Sequence, residues 1–197
     1  MSQPLADSAL DQLFRTARSY NGYLDTPVAT EQLHAIWDLM KFGPTSANCL
    51  PARLIWCTTP EAKDKLAGCA LPSNADKIRN APVSVVIGMD YEFYELLPEL
   101  FPHADAKAWF AGNDAMIEST AFRNSSLQGA YFIMAARALG LGTGPMSGFN
   151  PDAVNTAFFA DTPKVKANFI STLGYGDPAT IFERSPRPGF DRFNTIV

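Results

Sequence analysis

Apolar residues recur at Leu10, Leu13, Phe14 and Ala17, a spacing that predicts an amphipathic helix over residues 7–18 with Asp7 or Ser8 as its cap. Leu33, Ile36, Trp37 and Met40 repeat the period after Thr30, and Gly43-Pro44 closes that helix. RLIWCT, residues 53–58, reads as a buried strand, and Thr59-Pro60-Glu61 opens a helix with a capping hydroxyl and a proline in its first turn. Residues 74–80 form a short helix that ends before Pro82. VSVVIGM, residues 83–89, is apolar almost throughout, the pattern of a strand covered on both faces. The aromatic-rich span 91–113 has no regular period. A long helix over residues 114–139 follows, with Leu127, Ala130, Tyr131, Met134, Ala135 and Ala138 on one stripe whose small members admit another helix closely. Asn150-Pro151 caps one more helix, residues 169–173 form a third strand, and the tail 184–197 shows no helical period. No repeat, linker or low-complexity tract interrupts residues 1–197, so the pattern predicts a single α+β domain.

Length and charge narrow the functions open to it. A chain of 197 residues builds one full core and is short for two. Sixteen basic against twenty acidic residues leave a net charge of −4, which argues against a nucleic-acid partner, whose phosphates demand a basic patch. The opening MSQPLADSAL lacks the basic and apolar regions of a signal peptide, and no apolar run approaches the ~20 residues that cross a bilayer, so no membrane association is expected. Cys49, Cys57 and Cys69 are an odd count without C-x-x-C, which favours a reducing cytoplasm over a disulfide framework. His34 and His103 have no Cys or His at ligand spacing, and no metal site is expected.

The candidate chemistry is less direct. Gly140-Leu141-Gly142-Thr143-Gly144 resembles a dinucleotide loop but follows a long helix instead of a strand, so a helix C-cap and tight loop account for it. Gly144-Pro145-Met146-Ser147-Gly148 misses the G-x-S-x-G serine-hydrolase elbow by one place. Pro44-Thr45-Ser46-Ala47-Asn48-Cys49-Leu50-Pro51 is either a structured turn or a loop that offers N–H, hydroxyl and amide groups to the polar edge of a planar ring. Arg15 and Arg18 near one end, and Arg184 and Arg187 near the other, are either solvated surface or the guanidinium forks that a phosphomonoester needs.

Read in order, these segments resemble the flavin-dependent nitroreductase family over nearly the whole chain. Its R-S-x-R-x-[FY] opening resembles Arg18-Ser19-Tyr20-Asn21-Gly22-Tyr23, its P-[ST]-S-x-N-x-x-P loop resembles residues 44–51, and its Asn-x-x-Lys pair resembles Asn74 and Lys77. The G-L-G…P-[MI]-x-G-F segment resembles Gly140–Gly142 with Pro145-Met146-Ser147-Gly148-Phe149, and the C-terminal arginine resembles Arg187. Strings at residues 43–49, 122–132 and 135–142 are similar to the branch that contains malonic semialdehyde reductase, an enzyme of pyrimidine degradation. Two departures stand out: Asn21 where a second cation is usual, and Leu50 where Gln is common.

The resemblance implies a nitroreductase-like fold, a mostly antiparallel sheet flanked by helices, in an intertwined homodimer that binds FMN at its interface. It assigns the phosphate to Arg18, Ser19 and Arg187, with Asn21 beside them and Arg15 or Arg184 as support. Asn74 and Lys77 would meet the pyrimidine edge, where a cation favours the reduced flavin. Pro44, Thr45, Ser46 and Asn48 would come from the other subunit, and Pro145, Met146, Ser147 and Gly148 would pass the N5 side. No side chain is assigned as catalytic: hydride moves in ping-pong fashion from NADH or NADPH through flavin N5 to a small aldehyde or other electrophile.

Overall fold

A four-stranded antiparallel sheet in the order β1-β2-β4-β3 organises the computed structural model, which describes residues 3–197. Met1 and Ser2, the start of the stretch read above for a signal peptide, lie outside the described residues. In chain order the elements are α1 (Asp7–Leu10), α2 (Thr30–Met40), β1 (Ala52–Cys57), α3 (Pro60–Ala67), α4 (Pro72–Asn80), β2 (Val83–Asp90), α5 (Leu97–Leu100), α6 (Asp114–Ala138), β3 (Gly142–Met146), α7 (Pro151–Phe158) and β4 (Val165–Gly174). This is the nitroreductase-like arrangement expected from the sequence. None of the helices is long and apolar enough to cross a membrane.

β2 lies between β1 and β4, and its side chains alternate between two cores as strand geometry requires. Val83, Val85 and Ile87 pack with Leu33, Ile36 and Met40 of α2 and Phe132 and Ala136 of α6. Val86 packs on the other face with Leu66 of α3, Ile78 of α4 and Val154 of α7. Ser84 shares that second face, where its hydroxyl donates to the Ile78 carbonyl at 3.0 Å. The capping readings at Thr59 and Asn150 hold, since each side-chain oxygen accepts a backbone N–H three residues on. The irregular span 91–113 folds over a third cluster, in which Phe93 and Phe110 meet edge to face at 5.0 Å around Cys49, Leu97, Ile117 and Ala121.

Several expectations need correction, among them the strand read at residues 169–173, which begins at Val165. The first helix is shorter than residues 7–18: α1 runs into a π turn at Asp11–Arg15, and the Thr16 N–H and hydroxyl both bond the Asp11 carbonyl, ending it there. No residue of α1 or that turn is buried, and Phe14 is 57% exposed. β1 is an edge strand with only its ends buried, not a buried one. α4 begins at Pro72 instead of Asn74.

The largest correction concerns Gly142–Met146, a strand paired with β4 from Gly142↔Gly174 to Met146↔Ile170, where the sequence reading had a tight loop. The capping part of that reading holds: Gly140, at φ +78°, turns the chain out of α6, and the Leu141 N–H returns to the Ala136 carbonyl at 2.8 Å. Glycine and proline fill this strand because of what passes over it, described next.

Candidate functional site

Tyr20 explains the glycines. A Cβ at Gly142 would lie 2.5 Å from the Tyr20 ring, one at Gly144 2.6 Å from the Tyr20 carbonyl, and one at Gly176 2.4 Å from the same ring. Residues 142–144 and 176 are therefore clearance for the segment 18–23, which crosses them and bonds through the Tyr20 N–H to the Thr143 carbonyl at 3.1 Å. Tyr23 anchors the same segment, its hydroxyl 2.6 Å from Thr172 Oγ1, and burial pushes its ionisation well above the ordinary tyrosine range.

That crossing carries Arg18 and Ser19 to the C-terminal arm. They line a cavity of about 430 Å³ with Asn21, Arg184 and Arg187, so residues far apart in sequence meet. The arm is held by Arg18 donating to the Phe182 carbonyl and by Arg184 donating to the Ala17 carbonyl at 2.9 Å. A fourth arginine, Arg137 from the last turn of α6, lines the same cavity. None of these four arginines forms an ion pair among the described residues, although Glu183 also lines the space. Arg15 is placed elsewhere, paired with Asp7 at 2.8 Å and Asp11 at 3.2 Å, which holds its charge. Asn21 turns its amide to the Thr180 carbonyl at 2.9 Å.

From Thr143, beside Ser19, β3 runs about 10 Å to Met146, and the chain continues through Ser147 to Gly148. There Asn74 Nδ2 donates to the Gly148 carbonyl at 3.1 Å, bringing the Asn-x-x-Lys pair to the P-M-S-G segment. Lys77, one helical turn on, is half-buried and has no ion-pair partner among the described residues.

The loop containing Pro44, Thr45, Ser46 and Asn48 lies elsewhere on this chain. Asn124 Oδ1 of α6 accepts from the Ser46 N–H at 2.8 Å, and Arg137 stands thirteen positions further along that helix, about 20 Å away. Ala47, Asn48 and Leu50 all have positive φ, at 48°, 52° and 39°. The conformation is fixed by Tyr131 donating to the Pro44 carbonyl (2.9 Å), Asn48 Nδ2 donating to the Leu100 carbonyl (2.9 Å) and the Leu50 N–H donating to Thr45 Oγ1 (3.3 Å). Gln128 Oε1 accepts from the Ala52 N–H at 2.8 Å where the loop enters β1. Asn124, Gln128 and Arg137 were missed from sequence. The available signal was two amides, Asn124 and Gln128, one turn apart on α6; Arg137 lies on another face of the helix and repeats with neither.

The nitroreductase family model matches residues 14–175. The chain belongs to the nitroreductase family. Among its nitroreductase relatives, a Burkholderia lata protein provisionally named an NADH dehydrogenase/NAD(P)H nitroreductase is 60% identical over 187 residues, 95% of each chain. The nitroreductase ydfN of Bacillus subtilis, so assigned provisionally, has a solved structure that superposes with a TM-score of 0.88 at 20% identity, covering 98% of this chain and 100% of the other. A similarly assigned nitroreductase from Exiguobacterium sibiricum, solved in complex with FMN, gives a TM-score of 0.84 at 17% identity over the full length of both chains.

Proposed function

We propose that this nitroreductase-family chain is an FMN-dependent NAD(P)H oxidoreductase, active as a homodimer, and that it reduces malonic semialdehyde to 3-hydroxypropionate. The single observation that carries the flavin reading is the meeting of Arg18, Ser19, Arg184 and Arg187 in one cavity where, among the described residues, none of the arginines is ion-paired and Glu183 is the one carboxylate in the lining. Like charges held together repel, and a phosphomonoester dianion is the group that turns such a cluster favourable. The residues present thus fit FMN at its phosphate end, and Asn74, Lys77 and the Pro145–Gly148 backbone, at and beyond the far end of β3, fit its ring end.

The chemistry that bound FMN would supply is hydride transfer between NAD(P)H and the second substrate. The chain's residues supply the rest. Arg18, Ser19 and Arg187 bind the phosphate, Arg184 ties the arm to residue 17, and Asn21 braces that arm through Thr180. Lys77 would place positive charge beside the pyrimidine edge, and Pro145, Met146, Ser147 and Gly148 would wall the N5 side.

Two observations support a second copy of this chain. Asn124, which holds the 44–48 loop, and Arg137, which lines the arginine cavity, stand about 20 Å apart along α6, so the loop of one subunit lies well away from that subunit's phosphate end. Large apolar side chains also stand uncovered along the arm (Phe182, Phe190, Phe193, Ile196) and along α6 (Met116, Phe122, Leu127). The small-residue stripe agrees in five of its six positions: Leu127, Ala130 and Ala138 are exposed on the single chain and Tyr131 and Met134 half-buried, while Ala135 is buried in the chain's own core.

The substrate assignment rests on the motif strings at residues 43–49, 122–132 and 135–142. The names of the relatives favour a second reading, a reductase of nitro compounds or quinones with broad tolerance. Steady-state oxidation of NADH and NADPH by flavin-loaded protein separates them. Faster turnover with malonic semialdehyde than with nitrofurazone or a quinone is expected; the reverse order selects the second reading. Protein that takes up neither FMN nor a hydride refutes both.

A further inference from the structure

We infer that Arg137, on the last turn of α6, is a fourth ligand of the cofactor phosphate and supplies the cation that position 21 lacks. The inference rests on the flavin reading above and adds a residue to it. Arg137 lines the cavity with Arg18, Ser19, Arg184 and Arg187. Its guanidinium is only partly used: one terminal nitrogen donates to the Leu13 carbonyl at 2.8 Å and touches the Met134 sulfur at 3.8 Å, while Nε is buried without a partner. An unsatisfied buried donor on a charged group is uncommon, because folding strips its water and returns nothing.

The surroundings point the same way. Burial and, after it, the charge of Arg184 both disfavour the protonated form of Arg137, and no acid among the described residues is within ion-pair distance. Asn21, the residue at the usual cation position, has turned its amide away to Thr180. A planar fork presented from a helix end beside Arg184 restores the missing charge and offers paired N–H groups to phosphate oxygens.

A purely structural role is the competing account, since the bond to Leu13 ties the first turn of the chain to α6. Riboflavin, which carries the same ring without the phosphate, distinguishes the two. Dissociation constants for FMN and riboflavin are measured by flavin fluorescence on the full-length protein, wild type and Arg137→Gln. The wild type should prefer FMN. In Arg137→Gln the FMN constant should rise about tenfold to a hundredfold while the riboflavin constant moves less than about twofold. Equal losses for both ligands, or an unchanged FMN constant, overturn the inference. If Arg137→Gln does not fold, Arg137→Lys decides: it keeps the charge and loses the fork, so an unchanged ratio of the two constants overturns the proposal and a several-fold drop supports it. Wild-type protein that binds neither flavin refutes the flavin reading itself. Equal wild-type affinity for the two leaves the ring site standing and removes the phosphate role.

Discussion

Asn124→Ala tests whether α6 sets the shape of the 44–50 loop. Three residues in that loop, Ala47, Asn48 and Leu50, hold left-handed backbone conformations, each costing about 1 kcal/mol or more for a residue with a Cβ. Against this stand five hydrogen bonds, from Asn124, Tyr131, Asn48, Thr45 and Gln128, each contributing about 1 kcal/mol. The two sides nearly cancel, so the loop is ordered by a margin of about 2 kcal/mol. Asn124 is fully buried and also donates to the Thr120 carbonyl at 2.8 Å, so its truncation removes the Ser46 bond and loosens the helix behind it. A loss of about 1–2 kcal/mol from that margin leaves the loop disordered up to about half of the time, and the apparent flavin affinity falls in proportion, by at most about twofold. Fluorescence titration with FMN measures the affinity, and limited proteolysis without FMN reports new cleavage within residues 44–50. A variant that melts earlier yet binds FMN as the wild type does, with no new cleavage, would show that the loop holds its shape without α6.

Lys77→Ala should slow reduction of the bound flavin by NADH in stopped flow more than it weakens FMN binding, because its charge acts on the electron-rich state; equal effects on both, or none on the rate, count against that role. Gly144→Ala should lower the melting temperature and release FMN more readily, since its Cβ meets the Tyr20 carbonyl backbone at 2.6 Å and neither strand can yield cheaply; a variant of native stability would mean that segment 18–23 is not docked there. Burial pushes the Cys49 and Cys57 thiols up to about 11, so the fold favours the protonated form. Their contribution is complete below the unfolded thiol's pKa and is lost as pH rises through the folded one. Urea midpoints under reducing conditions should therefore fall between about pH 9 and 11, less steeply in the Cys49→Ala/Cys57→Ala variant. Parallel slopes in the two proteins would refute it.

Much of the fold was legible in the sequence because its helices and its central strand carry their own periodicity. β2 reads as apolar on both faces because α2 and α6 cover one side and α3, α4 and α7 the other. β1 was misjudged for a related reason: RLIWCT is as apolar as a buried strand, yet its outer edge has no partner among the described residues. The first helix showed a helical spacing that the single chain does not cover, as the exposed Phe14 records. In each case the apolar pattern tells that a face is to be buried, but not by what.

The site was legible only in part, and the glycines show why. Composition makes Gly140–Gly144 resemble a loop wrapped around a phosphate, but Gly142 and Gly144 lie in a strand, where a missing Cβ usually marks the close approach of something else. Here it is Tyr20, and the consequence for function is indirect. By admitting Tyr20 at van der Waals distance, Gly142, Gly144 and Gly176 set the path of residues 18–23, and that path alone brings Arg18 within reach of the arm at Phe182. The arginine cavity is thus a product of small residues that carry no charge themselves. Local pattern cannot reveal such a site, because the residues that create it and the residues that line it share no segment of the chain.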